Sequence, residues 1–375
     1  MKLIKPIWLI SEHGNDARDN GYAFFRFMCQ KHKDILCIYV CDKNNKKDYK
    51  KARCHGTVIQ FRSPLHKLCY LIANKIVTSH VGDSEPWEYP KYIELKKKYP
   101  FLFRKRKTVF LQHGVTFNNM ENVYAKKIRP VDLFMCTTER EKELVKRTLG
   151  YSDAEAKIVG FARFDDYLHA KKKKQILLMP TWRFSFGKVS MTNRHIAKDA
   201  LRRKFLHSDY YKGLQKLFDN RKLSEILEEF DYTFVFYPHY EMQMYLDCFH
   251  NENPRIRFGD IYNDSAHRLL KESSLLITDY SSVAFDYAYM NRPLVYYHFD
   301  RDNNGLESYS NKEFNYTSQG FGPVCHTPEE TVTAISEVLK NECRNPSYYE
   351  NRCNAEFALR NRHNCDSIYK EIKNL

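Results

Sequence analysis

Short apolar runs alternate along the chain with longer stretches in which apolar residues recur every three or four positions. The runs at 7–10, 35–40, 57–61, 75–79, 108–112, 133–137 and 157–160 predict strands in the first half. Those at 175–179, 233–237, 256–258, 275–278 and 294–298 predict strands in the second. Intervening patterns such as 139–148 and 224–230 have the period of amphipathic helices. Most of the runs are apolar throughout rather than alternating, as expected of parallel strands covered on both faces. Regular strand–helix alternation of this kind predicts an α/β fold built on parallel sheets.

The four consecutive lysines Lys171, Lys172, Lys173 and Lys174 break the pattern. Like charges in sequence repel and stay in solvent, so the run is read as a hinge between two halves. The expected division is 1–170, 171–345, and a polar helical segment, 346–375, packed on the outside. A length of 375 residues accommodates two domains.

Composition narrows the class. With 43% hydrophobic and 29% charged residues the chain is globular rather than disordered. A formal net charge of +15 favours an anionic partner: nucleic acid, an anionic lipid surface, or a phosphate-rich substrate. Eleven scattered cysteines without paired zinc spacing read as reduced thiols of a cytoplasmic protein. No run approaches the ~20 apolar residues of a membrane span, and no secretory leader is visible after Met1.

In open α/β sheets ligands bind beyond the carboxyl ends of the strands, and three such ends carry chemistry. Phe110-Leu111-Gln112-His113-Gly114-Val115-Thr116 runs from a strand into a histidine, with Gly114 allowing a tight turn and close approach of a ligand. His113 is either a general base or a histidine bonded to its loop. Phe236-Tyr237-Pro238-His239 repeats the arrangement in the second half. Thr278-Asp279-Tyr280-Ser281-Ser282 leads from a strand into a helix bearing Phe285 and Asp286. The two serines fall at the helix start, where free N–H groups and a partial positive charge suit a pyrophosphate, or where a serine simply caps. Arg183, after Pro180-Thr181-Trp182, offers a bidentate phosphate clamp or a surface arginine beside Trp182.

Together with Gly160-Phe161-Ala162-Arg163-Phe164-Asp165 and Asn291-Arg292-Pro293-Leu294-Val295, these segments resemble the CDP-glycerol glycerophosphotransferase family of teichoic-acid-type polymerases and primases. The resemblance implies a GT-B fold, two Rossmann-like domains facing a cleft, with the nucleotide donor held by the C-terminal domain. It implies transfer of glycerol phosphate from CDP-glycerol to a hydroxyl of a lipid-linked or polymeric acceptor, releasing CMP. On that reading His113 takes the acceptor proton, with Gly114 and Thr116 on the acceptor side. His239, Arg183, Ser281 and Ser282 steady the diphosphate, Asp286 meets ribose hydroxyls, and Asp279 shapes its loop. Many members have Trp-His-Gly-Thr-Pro where this chain has Gln112-His113-Gly114-Val115-Thr116, which leaves ribitol phosphate or a sugar phosphate open as the transferred group.

No cofactor and no metal are expected. Asp300-Arg301-Asp302 is a D-x-D, and with Asn303, Asn304 and Gly305 it imitates a calcium loop. That loop fails at its twelfth position, Asn311, where a bidentate Glu is needed. The basic-aromatic cluster at 96–107 is either a solvated connection or a docking patch for anionic lipid on the inner face of the membrane. Two other classes remain: a GT-B glycosyltransferase using a nucleotide sugar, and a basic nucleic-acid binder, for which no helix-turn-helix, zinc-finger or RNP-type signature is present.

Overall fold

The computed structural model describes residues 5–104, 106–168, 170–187, 197–300, 313–357 and 359–375. Arg301, Asp302, the rest of the calcium-loop imitation and Lys105 of the basic cluster lie outside them, as do the first four residues. The chain divides into two compact units, Met1–Leu168 with Phe357–Leu375, and His169–Glu356.

The first unit carries β1 (Ile7–Ser11), β2 (Leu36–Cys41), β3 (Thr57–Gln60), β4 (Lys75–Thr78), β5 (Lys107–Phe110), β6 (Leu133–Cys136) and β7 (Ala156–Ile158). They form one parallel seven-stranded sheet in the order β3-β2-β1-β4-β5-β6-β7. The strand centres are almost wholly apolar and buried, which is why unbroken apolar runs marked them. The order reverses between β1 and β4, so the carboxyl ends of β1, β4 and β5 lie side by side.

The second unit carries β8 (Lys173–Leu178), β9 (Thr233–Phe236), β10 (Ile256–Phe258), β11 (Ser273–Thr278), β12 (Leu294–Tyr297) and β13 (Val324–Cys325). These form a parallel six-stranded sheet in the order β10-β9-β8-β11-β12-β13. Here the reversal brings the ends of β8 and β11 together. Helices start with local side-chain acceptors. Ser63 accepts from His66 N–H ahead of Pro64–Ile72, and Thr327 with Glu330 forms a capping box on Pro328–Lys340.

Two expectations change. The lysine run is not wholly a linker: Lys173 and Lys174 open β8, with side chains exposed, and the units part before it. Lys173 is in register with Ser273 of β11, while its side chain reaches out to Glu272. Nor is 346–375 one outer segment. The helix Ser347–Glu356 belongs to the second unit, and the chain returns to the first at Phe357. In the terminal helix Asn364–Asn374, Cys365, Ile368 and Ile372 fall on one face and are buried in the first unit's core with Trp8 and Phe24. An apolar stripe at this spacing is stable only against other apolar surface. Asp165 fixes its start, accepting from the backbone N–H of Asn364 at 2.9 Å and of Cys365 at 3.0 Å.

Candidate functional site

Three histidines stand where the first unit's sheet ends. His13 follows β1, His80 follows β4, and His113 follows β5, three neighbouring strands. Their rings lie one against the next, His13 tilted by 35° to His80. The His13 and His80 centroids are 3.5 Å apart, and those of His80 and His113 are 4.4 Å apart with planes within 14°. Only His113 was singled out from sequence. His13 and His80 obey the same rule, each coming just after an apolar run, but their adjacency depends on strand order and cannot be read along the chain.

Each histidine is held from behind. The buried Glu12 carboxylate accepts from the backbone N–H of Arg18, Asp19 and Tyr22, each at 2.8 Å, which ties the residue before His13 to the start of the helix Asn20–Lys31. Gly14 turns the chain there with φ +84°, and a Cβ at that position would meet the Phe61 ring at 2.4 Å. The His80 N–H donates to Thr78 Oγ1 at 3.0 Å, and its Nδ1 lies 2.9 Å from Ser79 Oγ. His113 Nδ1 lies 3.4 Å from the Ser79 carbonyl oxygen, and the His113 carbonyl accepts from Arg163 Nη1 at 3.1 Å.

The turn before His113 is strained and braced. Gln112 has φ +58°, a left-handed conformation uncommon for a residue with a side chain. Its carbonyl accepts from Asn20 Nδ2 at 2.7 Å, and its Nε2 donates to the Met135 carbonyl at 2.5 Å and to Glu141 at 2.9 Å. Glu141, 1% exposed, also accepts from the backbone N–H groups of Thr116 and Thr137, both at 2.6 Å. Thr116 is buried, with its hydroxyl donating to Gln112 Oε1 at 2.6 Å, and it locks the turn. Gly114 remains partly open beside His113. Glu141 and Arg163 were not foreseen as site residues, although Arg163 lies in a segment that carried the resemblance.

A donor bond to the Ser79 carbonyl places the His113 proton on Nδ1 and leaves the Nε2 lone pair as base. Surrounding protein, then positive charge on His13, lowers the His113 pKa, and Arg163 acts in the same direction. The ring is still reached by solvent, which keeps that shift smaller than burial alone would make it. Lowering favours the neutral, proton-accepting form at pH 7.

In the second unit, the ends of β8, β11 and β12 are tied by one arginine. Arg183 is 3% exposed. Its Nε and Nη2 donate to Asp300 at 2.7 and 2.9 Å, Nη2 also to Asp279 at 2.8 Å, and Nη1 to the Thr181 carbonyl at 2.7 Å. Burial alone would lower its pKa, but Asp279 and Asp300 more than reverse that and raise it. The guanidinium expected to clamp phosphate is held as a buried strut between two carboxylates. Asp279, 0% exposed, also accepts from Thr181 N–H and Oγ1, both at 2.7 Å, and shapes its loop. Asp286, expected to meet ribose hydroxyls, is 1% exposed within the packed interior. Asp300, the first residue of the D-x-D, is committed to Arg183. Among the described residues no group of His, Cys, Asp and Glu could hold a metal ion.

What stays accessible here is different. Ser281 and Ser282 are partly exposed ahead of the helix Val283–Tyr289. Ser281 Oγ lies 3.4 Å from Val283 N–H, and the Ser282 hydroxyl makes no capping bond. His239, after β9, stacks on Trp182 with planes within 19°, and its Nδ1 accepts from Glu241 N–H at 3.4 Å. His298, after β12, is buried against Tyr280 at 4.2 Å, and burial pushes its pKa down to about 4.

The sequence matches the family described as CDP-Glycerol:Poly(glycerophosphate) glycerophosphotransferase over residues 2–374. It is 28% identical to the minor teichoic acid biosynthesis protein GgaB of Bacillus subtilis over 99% of this chain and 40% of that protein. It is 27% identical to the teichoic acid poly(glycerol phosphate) polymerase of Bacillus subtilis over 53% of this chain and 24% of that protein. The chain therefore spans less than half the length of these relatives. Its fold resembles the wall teichoic acid polymerase TagF with a TM-score of 0.70 at 18% identity, covering 99% of this chain and 90% of that one. It also resembles a UDP-GlcNAc 2-epimerase from Neisseria meningitidis, TM-score 0.53 at 10% identity over 99% of this chain and all of the other. These likenesses show the expected fold class, two Rossmann-like domains of the GT-B type. By the family match over nearly its whole length, the chain belongs to the CDP-glycerol:poly(glycerophosphate) glycerophosphotransferase family.

Proposed function

We propose that this protein transfers glycerol phosphate, or a related polyol phosphate, from a CDP-activated donor to a hydroxyl of a lipid-linked or polymeric cell-surface glycan. The observation that carries the proposal is a neutral-leaning histidine, His113, with its Nδ1 proton on a backbone carbonyl, at a strand end in a chain of this family. In the reaction His113 Nε2 takes the acceptor hydroxyl proton as that oxygen attacks the β-phosphorus. The bond from the β-phosphorus to the bridging oxygen breaks, and CMP leaves with its electron pair. Ser281, Ser282 and His239 supply hydrogen bonds to the diphosphate. Arg183 acts only indirectly, by fixing the loop that carries the two serines. Such transfer depends mainly on positioning and charge stabilisation.

Relatives support the donor class: a histidine variant of TagF was soaked with CDPG. The fold is shared with UDP-GlcNAc 2-epimerases, so fold alone does not select the donor. Calorimetric titration with CDP-glycerol, CDP-ribitol and a UDP-sugar tests the choice. Saturable binding of a CDP-polyol with none of the UDP-sugar is expected. Binding of the UDP-sugar alone would transfer the chain to the nucleotide-sugar reading.

We further propose that the protein acts at the inner face of the cell membrane without crossing it. No helix among the described residues is long and apolar enough to span a bilayer. The helix Pro64–Ile72 buries His66, Cys69 and Tyr70 but turns Leu65, Leu68 and Ile72 outward at 52, 54 and 53% exposure. Next to it Phe101 and Leu102 are exposed near Lys97, Lys98 and Arg104. Arg106 belongs inside instead, its Nη1 bonded to the carbonyls of Tyr70 and Leu102. Exposed apolar side chains with cations close by in the chain suit an anionic lipid surface.

A further inference from the structure

In the histidine stack His113 has a chemical task and His13 lies toward Asp83, at 3.9 Å. The middle ring, His80, has neither role, yet it is the most constrained of the three. One residue, the buried Ser79, registers both it and His113: the Ser79 hydroxyl meets His80 Nδ1 at 2.9 Å, and the Ser79 carbonyl meets His113 Nδ1 at 3.4 Å.

We propose, resting on the transferase reading above, that His80 is a positioning residue for proton transfer. Clamped between His13 and His113, its ring holds the His113 imidazole with Nδ1 toward the Ser79 carbonyl and Nε2 left to receive the acceptor proton. A single 3.4 Å bond leaves an imidazole free to swing about its own axis. A flat neighbour at 4.4 Å with planes within 14° removes that freedom. The groups facing His113 are His80 and His13, Asp83 on the loop after His80, Arg163, and Tyr124 at 6.5 Å edge-on. His80 can sit beside a charged His113 because it stays neutral. Burial, then His113 and His13, holds its pKa well below the ordinary histidine value. The middle ring therefore contributes an uncharged aromatic face and excludes water from one side of the base.

The test uses the full chain with His80→Ala and His80→Phe. The imidazole C–H resonances of His113, assigned by their loss in His113→Ala, are followed through a pH titration, together with the pH profile of CMP release. In His80→Ala water reaches the uncovered face, so the His113 midpoint rises by about half a pH unit or more. The acid limb of kcat/KM then moves to higher pH by the same amount. Loss of orientation lowers kcat about tenfold or more, with donor KM within about twofold. His80→Phe restores the flat face and recovers both the midpoint and most of kcat, which a merely structural lesion would not do. An unmoved His113 midpoint and unchanged kcat in His80→Ala would overturn the proposal. So would a phenylalanine variant as impaired as the alanine one. The transferase reading fails separately, as absence of CMP release from the unaltered protein, and the resonance titration still decides the role of His80.

Discussion

Replacing Arg183 with alanine leaves the carboxylates of Asp279 and Asp300 in the second unit without their cation. The side chain now makes four hydrogen bonds of 2.7–2.9 Å, three of them to those two aspartates. Arg183 and Asp279 are 3% and 0% exposed, so water cannot replace what is lost. Removing one partner of a buried ion pair costs about 3–5 kcal/mol. With two carboxylates stranded, the upper end, ~5 kcal/mol, is expected. At roughly 2–4 °C per kcal/mol for a unit of this size, the thermal transition should fall by on the order of 10–20 °C. Trp182 is the sole tryptophan of 169–356, the others being Trp8 and Trp87. In a Trp8→Phe, Trp87→Phe background, fluorescence therefore reports the second unit alone. The control is Arg202→Ala, whose pair with Asp247 is 41 and 69% exposed and screened by solvent, so its melting should be nearly unchanged. The reasoning is refuted if Arg183→Ala melts like the control while affinity for CDP-glycerol collapses. That result would make the guanidinium a ligand clamp after all.

Three further outcomes follow from the packing. Glu141→Ala strands the Thr116, Thr137 and Gln112 donors and should destabilise the first unit by roughly 3 kcal/mol or more in urea unfolding; less than about 1 kcal/mol would show the turn is held otherwise. Ile368→Ala should cost about 2–5 kcal/mol by the same measurement, because the terminal helix is core, and a surface-like loss below about 0.5 kcal/mol would return it to the exterior. His298 is buried neutral with its pKa lowered to about 4, so the unfolded chain binds more protons below pH ~6.5. Its contribution is complete above that pH and is lost as pH falls through about 4, and His298→Phe should flatten the stability profile in that window.

The α/β character was legible because parallel strands covered on both faces are written as unbroken apolar runs. The twelve expected strands are present, at most two residues displaced at either end. Among the described residues the one not foreseen, Val324–Cys325, is two residues long and leaves no pattern to find. The site was legible only where one strand end carried its own signal. His113, His239 and the Ser281-Ser282 pair stand beyond strands as expected. The buried pairing of Arg183 was not legible because its partner Asp300 lies 117 positions away and nothing local announces the pair. Asp286 and Thr116 looked polar and available in sequence, yet helix packing and the Gln112 turn bury them. His13 and His80 were visible as strand-end histidines, but their stacking follows from the β1-β4-β5 neighbourhood, which chain order conceals. The terminal helix was misplaced for the same reason, since its core partners lie at the other end of the sequence.

The most direct measurement is CMP release from CDP-glycerol and CDP-ribitol in the presence of detergent-solubilised membrane lipid acceptors, comparing the unaltered protein with His113→Ala. General-base catalysis contributes about 10²–10⁴-fold, so release that depends on acceptor and falls by at least about a hundredfold in the variant is predicted. Acceptor-dependent release that survives intact in His113→Ala, or no release from any CDP-polyol, would contradict the account.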